Sequence, residues 1–260
     1  MKINILTIFP EMFAPLTESI LGRAEEAGIL EFNIIDIRSF STNKHNKTDD
    51  YTFGGGQGMV FMPQPVFDAM NSLNGETNIY MSPRGEILNL DIARELSEMQ
   101  EITILCGHYE GVDQRILNTF SFREISIGDY VLTGGELAAM VLIDTFARLI
   151  PGVLSDEDSA LDESIYSGLL EYPQYTQPRN YEGLEVPEVL LSGNHKAIDL
   201  WRFKESLDIT EKMRPDLLRK YIEKHYSEEP KGRGIKMVDP TGELSKEHLK
   251  ILSEKIEKIR

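Results

Sequence analysis

The chain has only one cysteine, Cys106, among its 260 residues. An intrachain disulfide framework and a metal site built from cysteines alone are therefore excluded. Sparse cysteine is typical of proteins from a reducing compartment, so we expect a cytoplasmic protein. Because Cys106 ends an apolar segment, a place in the core is the simpler expectation than a role as nucleophile.

Long hydrophobic segments are also missing. The longest, residues 137–150, is interrupted by Asp144 and Arg148, whereas a membrane-spanning helix needs about 20 apolar residues. The apolar segment at residues 3–9 has neither a basic region before it nor a small-residue cleavage site after it, so it differs from a signal peptide. We expect a soluble protein without a membrane partner.

Basic residues are fewer than acidic ones. The chain has 27 Lys and Arg against 43 Asp and Glu, a net charge of −16, which at first argues against nucleic acid as a partner. Residues 201–260 differ, because they hold 15 of the 27 cations and 12 of the 43 acids, a net charge of +3. These cations alternate with aromatic residues. Composition alone favours a solvated helical face over an RNA-contacting module, and both interpretations stay open.

Apolar segments alternate with helical patterns over the first 150 residues. The predicted strands are residues 3–9, 32–37, 78–81, 102–106 and 124–127, and the predicted helices are residues 11–21, 64–73, 91–99 and 135–150. Such alternation predicts an α/β fold with a parallel sheet that is covered on both faces.

The second part of the chain has a different pattern. Residues 155–163 are small, polar and acidic, and residues 172–187 have no periodicity. Helical patterns return at residues 195–207, 215–225 and 245–259. We therefore predict three parts: a domain over residues 1–154, a flexible acidic linker over 155–173 and a small all-helical domain over 174–260.

Three of the predicted strands are followed by glycine-containing turns, at residues 82–85, 107–113 and 128–136. In open α/β sheets, ligands bind beyond the carboxyl ends of the strands. Glycine also lets a ligand approach main-chain groups closely. Each turn alone is adequately explained as an ordinary connection between a strand and the following helix. Together the three favour a backbone-lined pocket for a nucleoside-like ligand.

Common phosphate-binding motifs are absent. No G-x-G-x-x-G follows the first strand, and the glycine-rich loop at residues 54–58 lacks the G-K-[ST] ending. A Rossmann dinucleotide site and a Walker phosphate loop are therefore not expected. His45 and Asp50 precede the glycine-rich loop, but no second histidine stands at metal-ligand spacing, so we expect no zinc site.

Taken together, these segments resemble the bacterial tRNA (guanine-N1)-methyltransferase family, TrmD. The resemblance runs from residue 5 to about residue 217. It is carried by ILTIFP at residues 5–10, DD at 49–50, GGGxGM at 54–59, CGHYEGVDxR at 106–115, SIGDYVL at 126–132, GGE at 134–136, IPGVL at 150–154, GLL at 168–170, LLSGNH at 190–195 and WR at 201–202.

The resemblance implies an α/β fold of the SPOUT class, a parallel sheet with a deep C-terminal trefoil knot. It further implies S-adenosylmethionine as methyl donor, tRNA as substrate, and a homodimer whose active site lies at the subunit interface. The implied cofactor-binding residues are Gly107, Ile127, Gly128, Asp129, Tyr130, Val131 and Leu132, with Tyr80, Ser82, Pro83, Glu110, Gly134 and Gly135 nearby.

The family substrate is the guanosine 3′ of the anticodon, position 37. Its N1 carries a proton near neutral pH, so methylation needs a general base, and the charge that develops on O6 favours a fixed donor. By resemblance the donor is Arg148. The family's aspartate base aligns with Glu163, with Asp162 as the neighbouring candidate. A magnesium ion held by Glu110 and the linker carboxylates is compatible with the resemblance, but no metal-ligand spacing specifies one.

The resemblance also implies an RNA-contacting set. Its members are His45, Asp50, Gly55, Gly58, His195, Trp201 and Arg202. Two positions depart from the family: Glu163 replaces an aspartate, and Gln177 replaces an arginine. The alternatives are a SPOUT methyltransferase that acts on another RNA, and a catalytically impaired RNA-binding homologue, which these two departures would favour.

Overall fold

A computed structural model describes residues 1–55, 58–73, 75, 77–154, 164–231 and 234–259. The chain divides into two compact units, Met1–Glu157 and Asp158–Arg260. Within the described ranges, none of the helices combines the length and the apolar character needed to cross a membrane.

The first unit is built from alternating strands and helices. Its strands are β1 (Lys2–Thr7), β2 (Glu31–Asp36), β3 (Asp49–Tyr51), β4 (Met59–Phe61), β5 (Thr77–Ile87), β6 (Glu101–Leu105) and β7 (Arg123–Ser126). Its helices are α1 (Ser19–Glu26), α2 (Pro63–Asn71), α3 (Leu90–Ser97), α4 (Gln114–Thr119) and α5 (Glu136–Ala147), with 3₁₀-helices at Pro10–Thr17 and Ile37–Phe40.

Five of these strands form one sheet in the order β2-β1-β6-β5-β7. Every neighbouring pair is parallel, as the alternating pattern predicted. Successive side chains enter opposite cores, since Ile3 and Ile5 pack on one face and Leu6 on the other. Both faces are therefore buried, which explains why β1 and β6 each have apolar residues at consecutive positions, Ile5-Leu6 and Ile104-Leu105.

The predicted helix over residues 11–21 is wrong in its details. A 3₁₀-helix ends at Thr17, and α1 begins only at Ser19, after an extended Glu18. Pro15 lies inside this segment and has no backbone N–H to donate, so one continuous α-helix is disfavoured. The hairpin of β3 and β4 was not predicted either.

The second unit is mainly helical. Its helices are α6 (Glu188–Leu191), α7 (His195–Met213), α8 (Pro215–His225) and α9 (Lys246–Ile259), and its strands are β8 (Asn180–Tyr181), β9 (Leu184–Glu185), β10 (Ser227–Lys231) and β11 (Gly234–Val238). The side chain of Asn194 caps α7 by accepting a hydrogen bond from the Ala197 N–H. Residues Leu169, Leu207, Leu218, Tyr221, Leu252 and Ile256 form the core.

The prediction of an all-helical second domain is wrong, because two β-hairpins interrupt the helices. In the hairpin of β8 and β9, Glu182 and Gly183 have φ angles of 53° and 85°. Positive φ at both central residues is the requirement of a type I′ turn, whose twist suits a two-residue hairpin.

The predicted linker falls partly outside the described residues, which resume at residue 164. From there the chain packs within the second unit. Leu169 is buried in its core, and the Leu170 N–H donates a hydrogen bond to Thr210 Oγ1 on α7 at 2.8 Å.

Candidate functional site

The three glycine-containing turns meet at one edge of the sheet. They surround a cavity of about 210 Å³ that is lined by the bulge of β5, the turn after β6 and the loop between β7 and α5. The carboxyl ends of parallel strands share an edge, so turns that are distant in sequence are brought together there.

A bulge in β5 carries the first turn into the cavity. Met81 and Glu86 both pair with Ile125, so residues 82–85 leave the ladder. A Cβ atom at Gly85 would overlap the backbone of Glu124, and the bulge therefore needs glycine at this position. As a result, Ser82 and Pro83 reach the cavity wall.

The other two turns are joined through their main chains. The Gly135 N–H donates a hydrogen bond to the Gly107 carbonyl at 2.7 Å. A Cβ at Gly135 would lie 2.9 Å from the Cα of Cys106, and a Cβ at Gly107 would lie 2.7 Å from the Tyr80 hydroxyl. The turns thus approach at a distance that only glycine permits, and together they form one wall of the cavity.

Tyr80 lies beside this wall and is 7% exposed. Burial, with a smaller contribution from the nearby Glu124 carboxylate, raises its pKa to about 12. The phenol is therefore neutral at physiological pH and can donate a hydrogen bond.

Cys106 is fully buried between these elements. Burial, and then the charge of Glu136, raises the pKa of its thiol well above the usual value. Such a thiol forms little thiolate, so the expectation that Cys106 belongs to the core rather than acting as nucleophile is confirmed.

Glu136 is a buried acid that the sequence reasoning did not single out. It stands at the first position of α5 and is 1% exposed, and its Oε1 accepts a hydrogen bond from the Thr7 hydroxyl at 2.9 Å. The start of a helix favours negative charge. This carboxylate ties the end of β1 to the start of α5, and its place after a Gly-Gly pair was the available signal.

Strand β4 and Gly58, which ends the glycine-rich loop before it, lie against the turn after β6. The Glu110 N–H donates to the Met59 carbonyl, and the Phe61 N–H donates to the Gly111 carbonyl, both at 3.0 Å. A Cβ at Gly58 would overlap the side chain of Glu110. The predicted RNA-contacting residue Gly58 therefore lies against the predicted cofactor-binding residue Glu110.

The cavity collects most of the predicted cofactor-binding residues. Those that line it are Tyr80, Ser82, Pro83, Gly107, Glu110, Ile127, Gly128, Tyr130, Val131, Leu132, Gly134 and Gly135. Asp129 belongs to the same loop but does not line the cavity. The lining residues that were missed, among them Met81, His108, Ser126, Thr133 and Ala138, are close neighbours of the predicted ones in sequence.

The predicted catalytic residues are only partly described. Arg148 caps the carboxyl end of α5 and is half-buried, whereas Glu163 and Asp162 lie outside the described residues. No group of three or more His, Cys, Asp or Glu side chains in the described part of the chain could hold a metal ion.

The predicted RNA-contacting residues fall in both units. In the first unit, His45, Asp50, Gly55 and Gly58 lie in and around the hairpin of β3 and β4. A hydrogen bond from the Tyr51 N–H and the nearby Lys47 lower the pKa of Asp50. In the second unit, His195, Trp201 and Arg202 all lie on α7.

The chain resembles a well-populated group of proteins along most of its length. A family model described as tRNA (Guanine-1)-methyltransferase TrmD matches residues 1–220. A relative from Clostridioides difficile (strain 630) is 53% identical over 231 residues, which is 86% of this chain and 100% of the relative. One from Ruminiclostridium cellulolyticum is 54% identical, covering 86% and 99%, and one from Carboxydothermus hydrogenoformans is 56% identical, covering 84% and 88%. All three are named tRNA (guanine-N(1)-)-methyltransferase.

Proposed function

The chain belongs to the tRNA (guanine-1)-methyltransferase TrmD family, and on that premise we propose that it transfers a methyl group from S-adenosylmethionine to N1 of the guanosine 3′ of the anticodon, position 37, in tRNA. The observation that carries the proposal is the convergence of three glycine-containing turns on one cavity.

The chemistry of the cavity fits S-adenosylmethionine. Ile127, Leu132 and Ala138 contribute apolar wall, and the glycine turns contribute main-chain donors and acceptors. This combination suits the flat, polar-edged adenine of a nucleoside. Glu110 adds a carboxylate to the lining, and its negative charge complements the cationic sulfonium of the ligand.

The reaction requires a proton to leave N1 as the methyl group arrives. S-adenosylmethionine supplies the electrophilic methyl group when bound. Glu163, with Asp162 as the alternative, accepts the N1 proton, and the Arg148 guanidinium donates to O6, where negative charge develops. The cavity contributes by holding the methyl donor in one orientation.

The proposal extends to the architecture that the family implies. The first domain, residues 1–154, is a SPOUT domain with a C-terminal trefoil knot. The main-chain hydrogen bond between Gly107 and Gly135 supports close packing of the two loops that such a knot would bring together. Residues 155–173 link this domain to the tRNA-binding residues 174–260. The working enzyme is a cytoplasmic homodimer with the active site at its interface, and magnesium is a candidate further cofactor.

Single-turnover methylation tests the proposal. An unmodified tRNA transcript with guanosine at position 37 is incubated with excess enzyme and radiolabelled S-adenosylmethionine, beside a matched transcript with adenosine there. We expect label in the guanosine transcript alone. Label in ribosomal RNA in a parallel reaction, with none in either tRNA transcript, would favour a SPOUT enzyme that acts on another RNA. Binding of S-adenosylmethionine without transfer to any RNA would favour the impaired homologue.

A further inference from the structure

A second cavity lies wholly within the second unit. It has a volume of about 390 Å³ and is formed by residues 172–179, α6 and α7. Cavities that hold small ligands measure roughly 300–1,000 Å³ and combine apolar walls with a few polar groups. Here Val186, Leu190 and Ile198 form an apolar wall, while polar side chains come from the irregular segment before β8.

The charge of this cleft is positive. Arg179 and Arg202 line it, and no carboxylate does so among the described residues. The guanidinium of Arg202 lies 4.7 Å from the centre of the Tyr172 ring, a stacking contact that orients its donors without neutralising its charge. In a chain of net charge −16, a cleft lined by arginines alone among the charged residues indicates an anionic ligand.

Aromatic and amide groups complete the lining. Tyr175 is 48% exposed, and its ring centre is 6.4 Å from that of Trp201 on α7. Gln177 is exposed, and its carboxamide makes no hydrogen bond to another described residue. Proteins stack unpaired bases on exposed aromatic rings, and they recognise the edge of a base through hydrogen bonds from polar side chains. Tyr175 and Gln177 offer these two kinds of group.

We propose that this cleft binds one unpaired nucleotide of the tRNA, distinct from the guanosine that is methylated. The base stacks on Tyr175, the Gln177 carboxamide bonds to the edge of the base, and Arg179 and Arg202 bind the adjacent phosphates. This inference rests on the proposed function for the identity of the RNA. It adds a second point at which the enzyme holds the substrate.

A double-mutant cycle between protein and RNA tests this site. Full-length tRNA transcripts, each with one abasic nucleotide in the anticodon loop, are titrated against the wild-type chain and against Tyr175→Ala, and Kd is measured by filter binding. At one position other than 37, the abasic change should weaken wild-type binding about tenfold. It should weaken binding to Tyr175→Ala less than twofold, because the stacking partner is already gone.

Matched variants separate stacking from general damage. Tyr175→Phe keeps the ring and should retain the wild-type response. Tyr181→Ala removes an exposed tyrosine of the same unit that does not line the cleft, and its response to each abasic transcript should equal that of the wild type. Trp201 is the only tryptophan in the chain, so its fluorescence should change when intact tRNA binds and change less with the coupled abasic transcript.

The outcomes distinguish this inference from the proposed function. Wild-type enzyme that neither binds nor methylates the intact transcript would overturn the proposed function. Normal methylation with no abasic position coupled to Tyr175 would overturn the nucleotide site alone. If wild type and Tyr175→Ala respond alike to every abasic change, and Tyr175→Ala sediments as a smaller species, the nucleotide site is also overturned, because a second copy of the chain would then fill the cleft.

Discussion

Single residues decide how closely the chain approaches itself at the proposed cofactor cavity. Gly107 and Gly135 are joined by a main-chain hydrogen bond of 2.7 Å, and a side chain at either position would meet backbone or the Tyr80 hydroxyl. The shape of the cavity therefore depends on the absence of two Cβ atoms.

Gly135→Ala tests this dependence. The added Cβ would lie 2.9 Å from the Cα of Cys106 and from the Gly107 N. Backbone must shift to relieve this contact, so we expect a loss of about 1–3 kcal/mol in stability and weaker binding of S-adenosylmethionine by calorimetry. Gly183→Ala is the control, because its added Cβ meets nothing within 4 Å. Whatever stability the Gly183 φ of +85° costs an alanine, the affinity for S-adenosylmethionine should stay unchanged. Unchanged cofactor affinity in Gly135→Ala would contradict the close approach.

Tyr80 makes the free energy of unfolding depend on pH in the alkaline range. Its folded pKa of about 12 exceeds the ordinary value of 10, so folding favours the neutral phenol. The stabilisation is fully present below pH 10 and is lost as the pH rises towards 12. Between pH 9 and 11, the wild type should lose about 1 kcal/mol more unfolding free energy than Tyr80→Phe. Urea unfolding at both pH values measures this difference, and equal losses would show that the phenol is not protected.

Single-turnover rates test the proposed roles of Arg148, Glu163 and Asp162 in the chemical step. Arg148→Gln should lower the single-turnover rate by about 10²–10³-fold, the typical cost of losing an oxyanion donor, with S-adenosylmethionine affinity little changed. Glu163→Gln should also abolish most of the rate, while Asp162→Asn spares it. The reverse result for this pair would identify Asp162 as the base. A matched loss of cofactor binding in Arg148→Gln would instead indicate a structural role.

At the scale of elements, the most distinctive feature is a C-terminal helix that lies beyond the part of the chain matched by the family model. That match ends at residue 220, whereas α9 covers Lys246–Ile259. Leu252 and Ile256 of α9 are buried in the core of the second unit. Lys255 pairs with Asp208 on α7 at 2.6 Å and also with Glu211. This helix is thus an integral part of its unit.

Leu252→Ala measures how much α9 contributes to the stability of the second unit. The side chain is fully buried, so its truncation should cost about 2–5 kcal/mol in the unfolding of the second unit. Lys250→Ala changes a neighbouring side chain that is 74% exposed, and it should cost less than about 0.5 kcal/mol. Chemical unfolding monitored by Trp201 fluorescence reports on this unit. Equal effects of the two variants would mean that α9 does not pack as described.

At the scale of the whole molecule, charge is divided unevenly between the two parts of the chain. Residues 201–260 have a net charge of +3, and the remaining residues have −19. An acidic enzyme can still hold tRNA if its few cations are concentrated where the phosphates lie, since RNA recognition also relies on stacking.

Salt dependence tests this arrangement. Phosphate contacts release counterions, so the Kd for tRNA should rise steeply between 50 and 200 mM salt, by about tenfold or more. S-adenosylmethionine affinity serves as the control, because the small ligand releases few ions and should respond weakly. A flat response of tRNA binding would contradict the proposed role of the basic C-terminal segment.

The sequence by itself determined the central sheet and the place of the cavity that we propose for the cofactor. Apolar segments of strand length that alternate with helices bury both faces of a parallel sheet, as β1 and β6 do. Since the carboxyl ends of parallel strands share an edge, the glycine turns that follow them had to meet. The local sequence pattern was sufficient to predict the sheet, because apolar side chains mark the positions that become buried.

Only the tertiary structure decided the bulge of β5, the contact of Met59 with Glu110, the two hairpins of the second unit and the cleft beside Tyr175. These features depend on main-chain hydrogen bonds or on side chains that are distant in sequence. Every residue except proline carries the same backbone donor and acceptor. Their pairing therefore leaves little trace in a local pattern, and it is settled when the whole chain packs.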